Sequence, residues 1–332
     1  MLSLIKAIKL IRYLIVWKVN STFVLLPPAF ASEISLVIGS IIANRLSTKD
    51  AQAWKKIESK WNEFQGKKKT SKTAPYPEAP WPLQSVIFPY PQKVTYGQEE
   101  LVFWELKLLA DDADHGLFLE LILPAMEEAS YTNDFRQKYS YSIWGKFDIH
   151  SIYVARGPVW EPLVSEGRLN LQYVPSLNQW AEDIEFSSGK VLRSLEWITP
   201  FDFDDNNPAE AVHSPNDTET LPHEAPTLVE IMNHSLARFG QLTADRKKPG
   251  TDVWDVLSSQ ERESLNHILE LLAETKIDNQ NLLAAPPRGP GRWLGTIDFN
   301  AIPPAALAYL ALASIVHIGR HTHYGCGTFR LE

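Results

Sequence analysis

The chain has 332 residues, of which 44% are hydrophobic and 11% aromatic, and it contains one cysteine. This length suffices for two domains of ordinary size, and the composition is that of a packed globular protein, not a disordered one. A single cysteine excludes a disulfide framework within the chain and favours a reducing compartment, so we expect a cytoplasmic protein. The formal net charge of −8 argues against a uniformly basic surface but is compatible with a local basic face.

The first 35 residues combine basic and apolar side chains. Lys6, Lys9 and Arg12 precede a short apolar run, and Ala29-Phe-Ala31 has the small residues of a cleavage site, which together make a weak signal-peptide pattern. Lys18 interrupts the apolar run, and no stretch reaches the roughly 20 apolar residues that span a bilayer. We therefore expect a strand of the folded protein here and no membrane association.

The first half of the chain predicts alternating strands and helices. Periodicity and β-branched content predict strands at 9–19, 97–108 and 144–154, a further strand near 84–95, and helices at 30–46 (with Ser32 as N-cap) and 115–129. The polar segment 50–72 carries Lys67, Lys68 and Lys69. It is interpreted as a solvated helix and loop, with a phosphate-contacting face as the alternative.

The second half repeats this order of elements without a repeat in the sequence. Strands are predicted at 191–198 and 292–299 and at the C-terminus, helices at 228–242 and from Pro303 to about Val316, and an inserted, mostly helical segment at 249–281. Residues 201–226 contain several acids and no Lys or Arg, which predicts an exposed acidic loop.

The order β-α-β-β-α-β is the ferredoxin-like plan. The sequence therefore predicts an α+β protein with two tandem ferredoxin-like domains. The first domain is predicted at 1–155 and the second at 186–332, with residues 156–185 as a connector that includes another possible hairpin. The second domain contains a glycine-rich loop at 317–327.

This glycine-rich loop concentrates residues that suit phosphate chemistry. Gly319, Gly325 and Gly327 lack a Cβ, so backbone N–H groups beside them can approach an anion closely. Arg320, His321, Thr322, His323 and Tyr324 lie between the first two glycines and add positive charge and groups for proton transfer. The composition indicates a loop that holds a phosphate and performs acid–base chemistry on it.

The spacing of this loop resembles a known family. The pattern apolar-apolar-His-apolar-Gly-x-x-Thr-x-x-Gly-x-Gly-x-Phe-x-Leu at 315–331 resembles the C-terminal glycine-rich loop of the RAMP superfamily, and more closely that of the CRISPR Cas-six endoribonucleases. Leu195-Glu-Trp-Ile-Thr-Pro200, the helix with Asn233, His234 and Arg238, and Arg292-Trp-Leu-Gly295 follow in the expected order. The resemblance is specific across 186–332, looser at 80–155 and faint before that.

The resemblance implies that the protein is an endoribonuclease that takes part in antiviral defense. It would bind CRISPR repeat RNA, cut it by attack of the 2′-OH to leave a 2′,3′-cyclic phosphate, and stay bound to the mature CRISPR RNA. No cofactor and no metal are then required, and other Cas proteins of an effector complex are candidate partners.

The chain departs from the family pattern in one respect. Many members place a catalytic histidine in or near the first helix of the N-terminal domain. This chain has none before His115, and Arg45 is the nearest charged group.

The candidate catalytic residues all lie in the glycine-rich loop. His321 and His323 are candidates for general acid and base, Tyr324 for orientation and Arg320 for the phosphate. Candidate RNA-binding residues are Gly319, Gly325, Gly327, Thr322, His317, Arg45, Lys67, Lys68, Lys69, His234, Arg238, Arg288 and Arg292. For His317, at a helix end, capping or packing is the alternative role.

Two other functions are compatible with these residues. A related RAMP subunit would bind and position CRISPR RNA without cutting it, which the acidic charge and the missing early histidine favour. A metal-dependent hydrolase would use His317, His321, His323 and Cys326, whose ligand types suit zinc but whose spacing lacks the usual pairs.

Overall fold

The computed structural model describes residues 2–70, 76–78, 80–90, 93–132, 143–184, 191–203, 225–243, 252–286 and 289–332. The chain folds into two compact units. The first unit consists of Lys9–Thr70 and Tyr76–Asp183, and the second of Ile184–Glu332 together with the N-terminal segment Met1–Ile8.

The first unit is built on a six-stranded antiparallel sheet. Its strands are β1 (Leu10–Val19), β3 (Ser85–Pro89), β5 (Leu101–Leu109), β6 (Phe147–Arg156), β7 (Val159–Ser165) and β8 (Arg168–Leu169), arranged in the order β3-β5-β1-β6-β7-β8. A small separate sheet pairs β2 (Phe23–Leu25) with β4 (Thr95–Gly97). The hairpin of β7 and β8 lies in the segment predicted as a connector with a possible hairpin, and it extends the main sheet.

The helices of the first unit are α2 (Phe30–Arg45), α3 (Thr48–Thr70) and a helical run of three parts. That run begins as α4 (His115–Leu117), passes through a π-helical turn (Phe118–Ile122) and continues as α5 (Leu123–Tyr131). Aromatic stacking holds helix and sheet together, since Tyr13 of β1 stacks on Phe118 with ring centroids 3.8 Å apart.

The predicted N-cap Ser32 is wrong, because α2 begins at Phe30 after Ala29. Ser32 is buried, and its hydroxyl forms a hydrogen bond with the Tyr76 hydroxyl instead. Within the polar segment 50–72, the described side chains up to Phe64 are less solvated than predicted. One stripe of α3 is buried, and its spacing of three and four residues is that of a helix face against a core; it consists of Ala51, Trp54, Ile57, Trp61 and Phe64.

The second unit contains a four-stranded antiparallel sheet. Its strands are β9 (Ser194–Phe201), β10 (Ile277–Ala284), β11 (Trp293–Phe299) and β12 (Phe329–Leu331), in the order β10-β11-β9-β12. Its helices are α1 (Leu2–Ala7), α6 (Leu228–Thr243), α7 (Val253–Val256), α8 (Ser259–Ala273) and α9 (Pro304–Val316). The predicted helical insertion at 249–281 therefore ends before β10, a strand that the sequence prediction missed.

Residues 2–8 precede β1, the strand predicted at 9–19, and form part of the second unit. Residues 2–7 are helical as α1, and Leu4 and Ile8 are fully buried. The Ser3 N–H donates to the Glu261 carboxylate over 3.1 Å, which ties α1 to the start of α8. No helix in the described part of the chain is long and apolar enough to cross a membrane.

Both units have the same strand order. In each, the elements β-α-β-β-α-β give a sheet in which the second, third, first and fourth strands lie side by side: β3-β5-β1-β6 in the first unit and β10-β11-β9-β12 in the second. All neighbouring strands are antiparallel. This is the ferredoxin-like arrangement, and the predicted α+β fold with two tandem ferredoxin-like domains is confirmed.

Candidate active site in the glycine-rich loop

The glycine-rich loop connects α9 to β12 and is fastened to the end of β9. The Ile318 N–H donates to the Gly327 carbonyl over 3.0 Å, which closes the loop at its base. The Gly327 N–H donates to the Pro200 carbonyl over 2.9 Å, and the Arg320 N–H to the Asp202 carbonyl over 2.9 Å. The loop is therefore held at both ends by main-chain hydrogen bonds within the second unit.

Two of the glycines are required by close backbone approach. Gly327 has φ +78°, and a Cβ there would lie 1.8 Å from the Ile318 carbonyl oxygen. Gly319 has φ +82°, and its Cβ would lie 2.6 Å from the Asp202 carbonyl oxygen and 2.9 Å from the Phe203 ring. Positive φ and contact of this kind both exclude a side chain. These glycines serve to pack the loop onto the strand end.

Two of the three glycine N–H groups in the loop are used in hydrogen bonds within the protein. Those of Gly325 and Gly327 donate inside the protein, to the carbonyls of Thr322 and Pro200. The expectation that backbone donors of the loop approach an anion therefore does not apply to these two residues, which are candidates for shaping the loop and not for direct contact.

His317 lies at the end of α9 and is fully buried. Its Nδ1 lies 3.1 Å from the Gly325 carbonyl oxygen and 3.0 Å from that of Cys326. A carbonyl oxygen only accepts, so Nδ1 carries the proton and donates to both. This geometry matches the packing role and leaves no surface of His317 for RNA.

The tip of the loop presents Arg320, His321 and Thr322, which are all half-buried. His321 has a left-handed backbone (φ 58°, ψ 23°) and precedes a 3₁₀ turn at Thr322–Tyr324. The Tyr324 N–H donates to the His321 carbonyl over 2.9 Å. The tip thus places the consecutive, half-buried residues Arg320 and His321 on a tightly turned backbone.

His323 and Tyr324 lie below this tip and are each 5% exposed. Their rings meet edge to face with centroids 5.0 Å apart, and the Tyr324 ring lies 6.5 Å from that of His321. Tyr324 thus lies between the two imidazoles, and the four predicted catalytic residues separate into two that are half-buried and two that are buried.

Asp202 and Phe203 belong to the site although the sequence prediction placed them in an exposed acidic loop. Asp202 is buried and its carboxylate lies 3.6 Å from the Arg292 guanidinium. The Phe203 ring stacks on the His234 imidazole at 4.2 Å between centroids, with 11° between the planes. His234 is thereby linked through Phe203 to Gly319. Residues 204–224 lie outside the described residues.

Arg238 of α6 is buried beneath the end of α9. Its Nε donates to the Val316 carbonyl and its Nη1 to the Gln241 side chain, both over 3.4 Å. Burial lowers the pKa of Arg238 to about 10. Since a cation near a helix C-terminus interacts favourably with the last carbonyls, Arg238 serves α9 more directly than it serves a ligand.

Of the remaining predicted RNA-binding residues, two form ion pairs and the others lie outside the described residues. Arg292 faces Asp202 as above, and its side chain is 26% exposed. Arg45, in the first unit, forms an ion pair with Glu128 over 3.2 Å. Arg288 and the side chains of Lys67, Lys68 and Lys69 lie outside the described residues.

Metal ligation was the other possibility for the histidines and the cysteine of this loop. Among the residues that the structure describes, no three His, Cys, Asp or Glu side chains gather in a way that could hold a metal ion. Cys326 is buried, and burial together with the charge of Asp202 raises the pKa of its thiol. The Cys326 thiol is therefore protonated at neutral pH and is not a thiolate ligand or nucleophile.

Comparisons with known proteins gave matches only among solved structures. No family model matches the sequence, and no curated protein matches it. A Cas6 product complex is 15% identical with a TM-score of 0.49, and the match covers 98% of this chain and 99% of that one. A Cas6 substrate mimic complex is 14% identical with a TM-score of 0.41, covering 98% and 100%.

A third similar structure is longer than this chain. It is described as a partial Cas6-RT-Cas1–Cas2 complex, is 10% identical with a TM-score of 0.47, and the match covers 98% of this chain but 46% of that one. The likeness to all three runs along the whole of this chain.

Proposed function

We propose that this chain is a metal-independent endoribonuclease that cuts CRISPR repeat RNA and retains the mature CRISPR RNA. The observation that carries the proposal is the tip of the glycine-rich loop. There the consecutive residues Arg320 and His321, both half-buried, lie on a loop that main-chain hydrogen bonds fasten to Pro200 and Asp202. The loop resemblance and the two ferredoxin-like units support RNA as the substrate.

The chemistry uses the nucleophile of the RNA itself. The 2′-oxygen attacks the adjacent phosphorus, the bond from phosphorus to the 5′-oxygen breaks, and the products are a 2′,3′-cyclic phosphate and a 5′-hydroxyl end. One proton leaves the 2′-OH and one is taken up by the 5′-oxygen. An imidazole with a pKa near neutrality suits either transfer, and each contributes about 10²–10⁴-fold to the rate.

The residues at the tip divide this work between them. His321 transfers a proton, and Arg320 stabilises the negative charge that grows on the phosphate in the transition state. Thr322 and His234 are candidates to position the RNA beside them. The buried Tyr324 acts through His321, whose ring lies near its own, and His323 packs against Tyr324. Replacement of either residue should therefore lower the rate less than replacement of His321.

The test is incubation of the purified protein with its repeat RNA in excess EDTA, followed by analysis of the product ends. We expect a single cut that leaves a cyclic phosphate, and a loss of about 10²-fold or more in the single-turnover rate for His321→Ala. Arg320→Ala should lower the same rate, whereas His267→Ala, which alters an exposed histidine of α8, should not. Unchanged cleavage by His321→Ala with His323→Ala would overturn these roles.

A second candidate function is binding of CRISPR RNA without cleavage. The burial of His323 and Tyr324 favours this function, because His321 is then the one histidine of the loop that remains half-exposed. The cleavage reaction needs both a donor and an acceptor of protons. Tight binding of the repeat RNA with the RNA left intact would select this function. Loss of cleavage in EDTA with recovery in a divalent metal would select a metal-dependent enzyme instead.

A further inference from the structure

The sheet of the first unit has one face toward its helices and one face away from them. Tyr13 and Trp17 of β1 contact the helical residues Phe118 and Phe30, so they point to the helix side. Arg12 is adjacent to Tyr13 in β1, so its side chain points to the opposite side. The strand register then assigns the residues of the neighbouring strands to this second face.

The second face is rich in aromatic rings. On β5, Phe103 pairs with Val16 of β1, and on β6, Tyr153 pairs with Leu14. Phe88 of β3 pairs with Glu105, and Trp160 of β7 with Ala155. We call these four residues, together with Tyr90, the aromatic face: Phe88, Tyr90, Phe103, Tyr153 and Trp160.

None of the five rings is fully buried. Phe88, Phe103, Tyr153 and Trp160 are partly exposed, and Tyr90 is 39% exposed. The Phe88 and Tyr90 rings meet edge to face with centroids 4.6 Å apart. Large rings that remain partly accessible on a sheet are available to a ligand with flat surfaces, whereas the rings on the helix side form the core.

Two cations and one carboxylate lie among these rings. Glu105 accepts from the Arg12 Nε over 2.5 Å and from the Tyr90 hydroxyl over 2.7 Å. The Arg12 guanidinium lies 5.3 Å from the Trp160 ring centroid, and the Lys107 ammonium lies 5.7 Å from that of Phe88. Glu105 and Lys107 are buried and the Arg12 side chain is 17% exposed, so Arg12 is the cation of this cluster that a ligand can approach. With Lys107 protonated the cluster has a net charge of +1, and its field favours an anionic ligand over a neutral one.

We propose that the aromatic face binds an unpaired stretch of RNA, with bases stacked on its rings. This rests on the proposed function for the identity of the ligand. A β-sheet with accessible aromatic rings is a general solution for unpaired bases, because every base offers a flat π surface to a ring. The positive charge of the cluster favours the phosphate backbone that runs past the rings.

Substitutions at Tyr90 separate the ring from its hydroxyl. Tyr90→Leu removes the ring, and Tyr90→Phe keeps the ring but loses the hydrogen bond to Glu105. We expect the affinity for a fluorescein-labelled 12-nucleotide oligouridine to fall roughly 5- to 150-fold with Tyr90→Leu. Tyr90→Phe should retain it. Tyr131→Leu, which removes a 72% exposed tyrosine at the end of α5, is the matched control and should bind like the unaltered protein.

The same anisotropy titrations with a repeat hairpin that lacks unpaired flanks separate this inference from the proposed function. If the protein binds and cuts the hairpin but Tyr90→Leu binds oligouridine unchanged, the aromatic face is not an RNA site and the proposed function stands. If the protein binds oligouridine in a Tyr90-dependent manner but neither binds nor cuts the hairpin, the proposed function fails and the face remains an RNA site. Photocrosslinking with 5-iodouridine RNA should label peptides containing Tyr90 or Phe88; labels confined to other peptides would overturn the inference.

Discussion

The imidazole of His317 donates to the carbonyl oxygen of Cys326 over 3.0 Å and so joins the end of α9 to the far side of the glycine-rich loop. The same Nδ1–H also reaches the Gly325 carbonyl. One buried side chain thus holds the two ends of the loop together, and the shape of the tip that presents Arg320 and His321 depends on it.

Replacement of His317 should therefore destabilise the fold. His317→Ala removes the donor shared by two carbonyl oxygens, and we expect the free energy of unfolding to fall by about 1–3 kcal/mol. His267→Ala, at a 69% exposed position of α8, should change it by less than about 0.5 kcal/mol. Urea denaturation followed by circular dichroism measures both. Equal effects of the two substitutions would contradict the role given to His317.

Gly327 and Gly167 form a pair that separates backbone strain from steric contact. Both have positive φ, +78° and +70°, but a Cβ would lie 1.8 Å from the Ile318 oxygen at Gly327 and would meet nothing within 4 Å at Gly167. Gly167→Ala should cost roughly 1–2 kcal/mol of unfolding free energy from strain alone. Gly327→Ala should cost more than about 3 kcal/mol, because the carbonyl must also move. A similar cost at both positions would contradict this account, because it would show that the backbone of the glycine-rich loop can shift to accommodate a Cβ at Gly327 without a loss of stability.

The sequence predicted most of the elements because their patterns were strong. Strands β1, β5 and β9 and helices α2, α6 and α9 have clear periodicity and lie within a few residues of their predicted bounds. Strand β10 was missed because its residues, Ile-Asp-Asn-Gln-Asn-Leu-Leu-Ala, lie at the sheet edge and are largely exposed, so they show no alternation.

The site was predicted less completely than the fold. The glycine-rich loop was identified from its composition, but composition does not reveal which residues of a loop are buried. The structure shows that His317, His323 and Tyr324 are buried. Asp202 and Phe203 were assigned to an acidic loop because most of that segment is polar. The signal that could have placed them is the alternation Phe-Asp-Phe at 201–203, which continues the strand pattern of β9 for two residues.

The ion pair of Arg12 and Glu105 should contribute to stability in a pH-dependent manner. Burial by itself raises the pKa of Glu105, but the charges of Arg12 and Lys107 and the hydrogen bonds from Arg12 and Tyr90 lower it to about 2. The folded state therefore favours the ionised form. The stabilisation is present above the unfolded pKa, near 4.5, and is lost as the pH falls toward 2.

Glu105→Gln should then lower the free energy of unfolding by about 3–5 kcal/mol at pH 6, since it leaves buried cations without their carboxylate. The difference from the unaltered protein should shrink below about pH 4.5. Arg12→Met combined with Glu105→Gln should recover part of the loss, as a double-mutant cycle measures. Glu196→Gln at the exposed pair with Arg330 should cost no more than about 1 kcal/mol. A deficit that stays constant down to pH 3 would count against this account.

Cys326 offers a direct probe of loop opening because it is the single cysteine of the chain and 1% exposed. Burial and the charge of Asp202 raise the pKa of its thiol, so both access and thiolate formation are suppressed in the folded state. We expect reaction with Ellman's reagent at pH 8 to be slower than that of free glutathione by more than about 100-fold, and to be complete in urea. His317→Ala should accelerate the reaction by a larger factor than the factor by which it raises the unfolding equilibrium constant, because it releases the loop locally. Native labelling as fast as glutathione would show that the loop opens freely and that His317 does not hold it closed.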